Sequence, residues 1–180
     1  MNRIFLRAFE PDDYKLTYKW RQDEEITKFL SGNKWFVSSE RERRWVEEKI
    51  LDDRANIYLA ICENETGLML GYLSINNIDL RNRTAEWGGL TIGSKEHQNK
   101  GYASEAAKMM LEYIFEELGI NRCYCYCLAK HPYTIKLFEK LGFTKEGELR
   151  ECIFKNNEFN NLLLYSMLRA EYLDMKSVTV

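Results

Sequence analysis

Proline, long apolar runs and low-complexity linkers are scarce in this 180-residue sequence. It has 2 prolines, and its apolar residues are spread from end to end. We therefore expect one compact domain over residues 1–175, followed by a short tail at 176–180. No apolar run is long enough to span a bilayer, and the first residues, MNRIFLRAFE, mix charged with apolar side chains. These features predict a soluble, cytoplasmic protein without a membrane partner.

An excess of positive charge is also missing. The 26 Lys and Arg residues are balanced by 28 Asp and Glu residues, which leaves a formal net charge of -2. A protein that binds nucleic acid through its phosphates needs a basic surface that collects them. The composition therefore argues against nucleic acid as the primary partner.

The cysteines match neither a disulfide pattern nor a metal-binding motif. Their number, 5, is odd, and Cys123, Cys125 and Cys127 alternate with two tyrosines. This period of two places the thiols on one face of a strand and the aromatic rings on the other. A one-residue spacing is unlike the usual Cys-x2-Cys zinc motif, and neither histidine lies in a ligand pattern. We expect reduced, buried thiols and no metal.

Hydrophobic periodicity predicts an α+β fold with a mixed sheet. The predicted strands are residues 3–7, 56–62, 68–78, 84–92, 122–128 and a hairpin pair around residues 155–158. The predicted helices run from Asp12 or Asp13 past Trp20, and over 22–30, 39–50, 103–118 and 132–141. The third of these helices has Ser38 or Ser39 as its cap. The strand, bend, helix and strand over 84–128 form a parallel βαβ unit in an otherwise mostly antiparallel protein.

The bend of this unit, KEHQNKGYASEA at residues 95–106, is the most informative segment. Gly101 permits close approach of the backbone to a ligand, and the unpaired N–H groups of the helix that follows attract phosphate. The segment matches neither the P-loop nor the Gly-x-Gly-x-x-Gly motif. Taken alone, the glycine is explained equally well as helix punctuation.

The segment Gln98-Asn99-Lys100-Gly101-Tyr102-Ala103 resembles the Gln/Arg-x-x-Gly-x-Gly/Ala loop of the GNAT superfamily of acetyl-CoA-dependent N-acetyltransferases. Further similarity lies at residues 85–88, 137–143 and 146–149. These segments are similar to the branch that contains ribosomal-protein N-terminal acetyltransferases and bacterial spermidine acetyltransferases. The resemblance implies α/β/α layers around a central, mixed, mostly antiparallel and splayed sheet of about six or seven strands.

The resemblance also implies a site for acetyl-CoA, used as a cosubstrate without a metal. The backbone amides that would hold its pyrophosphate belong to Gln98, Asn99, Lys100, Gly101, Tyr102, Ala103 and Ser104. Backbone groups of Leu90, Thr91 and Ile92 would bind the pantetheine arm and polarise the thioester, in a cleft where strand 86–92 splays from strand 122–128. The cofactor positions on the next helix are His131 and Phe138. His131 replaces the common asparagine, and a lone histidine there more often caps the helix.

Three side chains are candidates for catalysis by this resemblance. Glu86 is the candidate general base, acting through water, and an ion pair with Arg81 or Arg83 is an equally weighted alternative. Phe138 stands where many relatives have a tyrosine, and a phenyl ring cannot protonate a leaving thiolate. Thr134 would bond the sulfur instead. Tyr133 is a weaker substitute, and packing over the helix surface explains it better.

The implied reaction is direct attack of a neutral amine on acetyl-CoA. Deprotonating an ammonium of pKa near 10.4 at pH 7 costs roughly 4 to 5 kcal/mol, whereas an α-amine near 7.7 to 8 costs about 1 kcal/mol. We therefore expect a protein or peptide N-terminal α-amine as the acceptor. A polyamine, an amino sugar, and a CoA-binding module without turnover remain alternatives.

The resemblance implies that residues 20–35 and 154–159 recognise the acceptor. Four aromatic side chains would either wall the amine pocket or lie in the core: Trp20, Phe29, Trp35 and Phe36. Asp23 and the two glutamates after it would either attract a cationic amine or cap a helix. A homodimer is also considered, because Leu162–Leu164 and Met167 would suit a sheet edge as well as a core.

Overall fold

The structure is a computed structural model that describes residues 2–28, 30–32, 36–52 and 55–178. The chain forms two compact units. The first unit comprises Met1–Lys28, Trp35–Asn76 and Gly88–Met110, and the second comprises Phe29–Lys34, Asn77–Trp87 and Leu111–Val180.

The α+β class and the mixed sheet predicted from the sequence are confirmed. The strands are β1 (Ile4–Ala8), β2 (Ile57–Glu63), β3 (Met69–Asp79), β4 (Thr84–Ile92), β5 (Arg122–Leu128), β6 (Thr144–Lys155) and β7 (Glu158–Leu168). The helices are α1 (Tyr14–Gln22), α2 (Glu24–Thr27), α3 (Ser39–Leu51), α4 (Tyr102–Glu112), α5 (Pro132–Lys140) and α6 (Arg169–Val178). The sheet has seven strands in the order β1-β2-β3-β4-β5-β7-β6. None of the helices in the described ranges is long and apolar enough to cross a membrane.

The first unit is built on the antiparallel strands β1, β2 and β3, with α1 and α3 packed beside them. Trp20 of α1 is only 6% exposed and lies in a cluster with Phe9 and Val46. Its indole stacks on the ring of Tyr72 at a centroid distance of 6.4 Å. Of the two roles considered for Trp20, the structure therefore shows the core. Phe36 is 99% exposed, so it does not lie in the core, and the aromatic residues considered at positions 29 and 35 lie outside the described residues.

Polar caps define the first helices. The Ser38 hydroxyl accepts a hydrogen bond from the Arg41 N–H at 3.2 Å and begins α3, so the cap predicted at Ser38 or Ser39 is confirmed at Ser38. Asp23 has an extended backbone, which ends α1, and its side chain caps α2. The helix predicted over 22–30 was too long, because α2 comprises only Glu24–Thr27.

The second unit is centred on β5. Its first four residues pair in parallel with Thr84–Trp87, and β7 pairs antiparallel with its whole length. Cys123, Cys125 and Cys127 are all buried, as predicted. Burial raises the pKa of Cys123 to about 12 and that of Cys127 to about 11, so both are protonated at neutral pH. Among the residues described, no cluster of metal-ligating side chains is found.

Strand β7 lies between β5 and β6 and is hydrogen-bonded on both sides. Leu163 and Met167 are buried within this unit. Of the two roles considered for this strand, a dimer edge or the core, the structure therefore shows the core, because β7 is paired on both sides. The homodimer itself stays a prediction.

Two helices differ in extent from the prediction. The helix predicted over 103–118 consists of α4 and a π-helical turn, Tyr113–Glu117. Helix α6 continues to Val178, so the residues 176–178 assigned to a tail are helical.

Candidate active site

The bend before α4 contains two residues in the left-handed region of backbone conformation. A 3₁₀ turn at Lys95–His97 leads to Gln98 in an extended conformation. Asn99 then has a φ of 59° and Gly101 a φ of 89°, both in the left-handed region. Glycine adopts this conformation without the steric strain that a Cβ introduces. Left-handed residues in such a bend turn successive N–H groups toward one concavity.

The backbone N–H groups of residues 99–104 have no acceptor among the residues that the structure describes. Among the hydrogen bonds of the described residues, none is donated by the backbone N–H of residues 99–104. The first four N–H groups of any helix lack an intrahelical partner, and they carry the positive end of the helix dipole. The arrangement therefore offers up to six donors to an anion.

Gln98 differs from the other residues predicted to bind pyrophosphate. Its backbone N–H already donates to the Lys95 carbonyl at 3.3 Å. Its side-chain Nε2 donates to the Ile92 carbonyl at 2.9 Å. Gln98 therefore ties the bend to the end of β4, and the amides available for a ligand begin at Asn99.

Leu90, Thr91 and Ile92 are the last three residues of β4, and they belong to the first unit. Thr91 is buried. The Ile92 carbonyl is used by Gln98. The structure thus brings the predicted arm-binding strand and the predicted diphosphate loop together through one glutamine side chain.

Arg3 is a loop contact that sequence reasoning missed. Its Nη1 donates to the Lys100 carbonyl at 3.0 Å, and its Nε donates to Glu105 Oε2 at 3.0 Å. Its guanidinium carbon also lies 4.3 Å from the centroid of the Tyr102 ring. Arg3 and the bend lie about a hundred residues apart in the sequence, so no local motif links them.

Glu86 lies on β4 in the second unit, half-buried, opposite Tyr124 of β5. Its Oε2 accepts a hydrogen bond from Asn77 Nδ2 at 2.6 Å. The ion pair considered with Arg81 or Arg83 is not found in the described part of the chain. This bond comes from a neutral amide, which, unlike an arginine, brings no positive charge to the carboxylate.

His131 caps α5. Its Nδ1 accepts a hydrogen bond from the Thr134 N–H at 3.4 Å, and burial lowers the pKa of the ring. The neutral form is the one that has an acceptor nitrogen, so the capping role expected for His131 is confirmed. Tyr133 is 66% exposed and its ring lies 6.4 Å from the His131 ring. Thr134 follows in the first turn of α5, half-buried.

Phe138 belongs to an aromatic cluster of the second unit. Its ring centroid lies 5.1 Å from Trp87 and 5.3 Å from Tyr165, and its side chain is 3% exposed. It serves the core. A contact between Phe138 and the cosubstrate stays a prediction. Such a contact would involve only the small part of the side chain that is exposed.

Two lysines make contacts within the ranges expected to recognise the acceptor. Lys95 pairs with Asp23 at 2.7 Å within the first unit, which neutralises one of the acidic side chains considered for amine attraction. In the second unit, Lys155 is buried and donates to the carbonyls of Leu30 and Gly32. Burial lowers the pKa of Lys155.

The mixed sheet and the bend before α4 set the architecture, and comparison with known proteins identifies the family. A family model described as an acetyltransferase (GNAT) domain matches residues 3–144. The chain belongs to the GNAT acetyltransferase family. It is an N-acetyltransferase by family, as the resemblance predicted.

Several relatives match along most of their length. The chain is 31% identical to the uncharacterized N-acetyltransferase p20 of Bacillus licheniformis, over 94% of this chain and 95% of that protein. It is 27% identical to YdaF of Bacillus subtilis, named as a proposed ribosomal N-acetyltransferase, over 94% and 93% of the two chains. It is 26% identical to the spermidine N(1)-acetyltransferase of Vibrio cholerae, over 96% and 97%.

A crystal structure of the Vibrio cholerae spermidine N-acetyltransferase, in complex with CoA and spermine, matches the fold. Its TM-score is 0.87 at 23% identity, covering 96% of this chain and 99% of that one. At this identity the likeness concerns the fold.

Proposed function

We propose that the protein transfers the acetyl group of acetyl-CoA directly to a primary amine. The observation that carries the proposal is the row of N–H groups at residues 99–104, which have no acceptor in the described protein and lie at the start of α4. A diphosphate gains several charge-assisted hydrogen bonds at such a site without a basic cluster. This accounts for cosubstrate binding by a chain whose net charge is -2.

Positioning is proposed to supply most of the acceleration. Holding the amine and the thioester in reacting geometry contributes about 7 to 11 kcal/mol, and a general base contributes about 3 to 5 kcal/mol. Glu86 would accept the proton of the amine through water. Its hydrogen bond from Asn77 fixes one carboxylate oxygen and leaves the other, Oε1, for that water. The Thr134 hydroxyl would donate to the sulfur of the departing thiolate, with Tyr133 as a weaker donor.

The proposed acceptor is the N-terminal α-amine of a protein or peptide. Its pKa makes the neutral form accessible at a cost of about 1 kcal/mol, which suits a site with a single modest base. Two acidic side chains of the first unit also favour it. Asp23 is paired with Lys95, and the buried Glu42 is paired with Arg21 at 2.7 Å. Neither carboxylate is left unpaired to attract a polycation.

A polyamine is the second candidate. The relatives support it, because the spermidine N(1)-acetyltransferase of Vibrio cholerae matches nearly the whole chain. Glu24 and Glu25 are exposed on α2, where a cationic acceptor could meet them.

A thiol-release assay with a panel of amines tests both candidates. The panel contains peptides with free α-amines, the same peptides with blocked N-termini, spermidine and glucosamine, and mass spectrometry locates the added acetyl group. We expect turnover that requires acetyl-CoA and a free peptide α-amine. Turnover of spermidine alone would show that the acceptor is a polyamine and not a peptide α-amine. Absence of thiol release with every amine would contradict the proposed reaction.

A further inference from the structure

Arg3 contacts the diphosphate loop in three ways that act on its backbone and its charge. The guanidinium donates to the Lys100 carbonyl, pairs with the Glu105 carboxylate and covers the Tyr102 ring. The backbone N–H of Arg3 adds a second bond to Glu105, at 2.7 Å to Oε1. The side chain remains 50% exposed, so it is not a core residue.

The bond to the Lys100 carbonyl fixes the orientation of one peptide group. In a trans peptide the C=O and N–H point in opposite directions. The carbonyl of Lys100 and the N–H of Gly101 belong to the same peptide plane. When Arg3 holds the carbonyl on its own side, the N–H of Gly101 is turned to the other side, where it stays available to an anion.

The pair with Glu105 removes an opposing charge. Glu105 is the fourth residue of α4, and its side chain is 20% exposed. A carboxylate in the first turn stabilises a helix, but it repels a diphosphate bound to the N–H groups of the same turn. The two bonds from Arg3 neutralise this carboxylate and point its oxygens toward β1.

We infer that Arg3 is a positioning residue for cosubstrate binding: it orients the Lys100–Gly101 peptide and neutralises Glu105. The inference rests on the proposed function, because it assumes that the loop binds the diphosphate of acetyl-CoA. It assigns a role to a residue outside the loop segment that binds the ligand.

The test is calorimetric titration of acetyl-CoA into the full chain and its variants. Arg3→Met keeps an unbranched stem and removes the side-chain donors, while the backbone N–H still bonds Glu105, and we expect about threefold to tenfold weaker binding. Arg3→Lys keeps the charge but has one ammonium in place of a planar fork, so its loss is expected to be smaller. Arg43→Met is the matched control, since Arg43 is also partly exposed and paired with a carboxylate, Glu40, at 3.0 Å. It should bind as the unaltered chain does.

The kinetic readout separates positioning from general damage. For Arg3→Met we expect a higher KM for acetyl-CoA, with kcat at saturation and the KM of the amine unchanged. Adding Glu105→Gln to Arg3→Met should restore part of the affinity, because the uncompensated charge is then gone.

Three results would overturn the inference. They are unaltered affinity of Arg3→Met, an equal loss of kcat and affinity, and no recovery in the double variant. If the unaltered chain fails to bind acetyl-CoA, the proposed function falls as well, whereas an effect missing only in the variants leaves that function standing.

Discussion

Replacing Gly101 by alanine isolates the conformation of the loop. The φ of 89° at this position is strained for any residue with a Cβ, by about 1 to 2 kcal/mol. The added Cβ would meet only Arg3 Nη2, at 3.4 Å, which is an ordinary contact. Steric collision is therefore absent, and the perturbation acts on the backbone.

The strain is expected to appear in binding. Gly101 is exposed and its N–H has no acceptor in the described protein, so the free loop can relax after the substitution by giving up the exposed bond from Arg3 to the Lys100 carbonyl. The bound loop must return to the left-handed conformation. One to two kcal/mol corresponds to about a fivefold to thirtyfold weaker affinity for acetyl-CoA.

The assay is calorimetric titration of acetyl-CoA, with Gly147→Ala as the matched control. Gly147 has no positive φ, and a Cβ there meets nothing within 4 Å. We expect unaltered affinity for Gly147→Ala. An affinity of Gly101→Ala equal to that of the control would refute the role assigned to the left-handed loop.

Three further predictions concern residues of the second unit. Glu86→Gln should lower kcat by about 10²- to 10⁴-fold while the affinity for acetyl-CoA is kept, as thiol release and calorimetry will show. His131→Ala should lower the free energy of unfolding in urea by about 1 kcal/mol, whereas His131→Asn, which retains a capping acceptor, should lower it less. Arg122, with the Ser166 hydroxyl, lowers the pKa of Glu146 to about 2. Because the folded pKa is depressed, this stabilisation is present above pH 4.5 and is lost as the pH falls toward 2. NMR titration of the Glu146 carboxyl carbon checks the value, and an ordinary midpoint would contradict it.

Local patterns predicted most of the elements. The alternation of cysteine and tyrosine predicted the strand 122–128 with the bounds that β5 has, because a period of two places every second side chain in the core. The capping serine predicted the start of α3. The bend before α4 was found because glycine and polar residues interrupt two apolar patterns.

Contacts between distant segments could not be predicted in this way. Apolar residues such as Leu163 and Met167 suit a strand at the edge of a sheet as well as one inside it. The position of β7 between β5 and β6 therefore could not be read from its own sequence. The bond between Arg3 and Lys100 joins residues 97 positions apart. The amide of Gln98 was assigned to the ligand, but the 3₁₀ turn before it supplies an acceptor that no motif announces.

The most direct test of the account is a crystal structure of the protein with acetyl-CoA. The account predicts that both phosphates lie within hydrogen-bonding distance of the N–H groups of residues 99–104, at the start of α4. Density for the diphosphate at any other place, with these N–H groups bound to water, would contradict it.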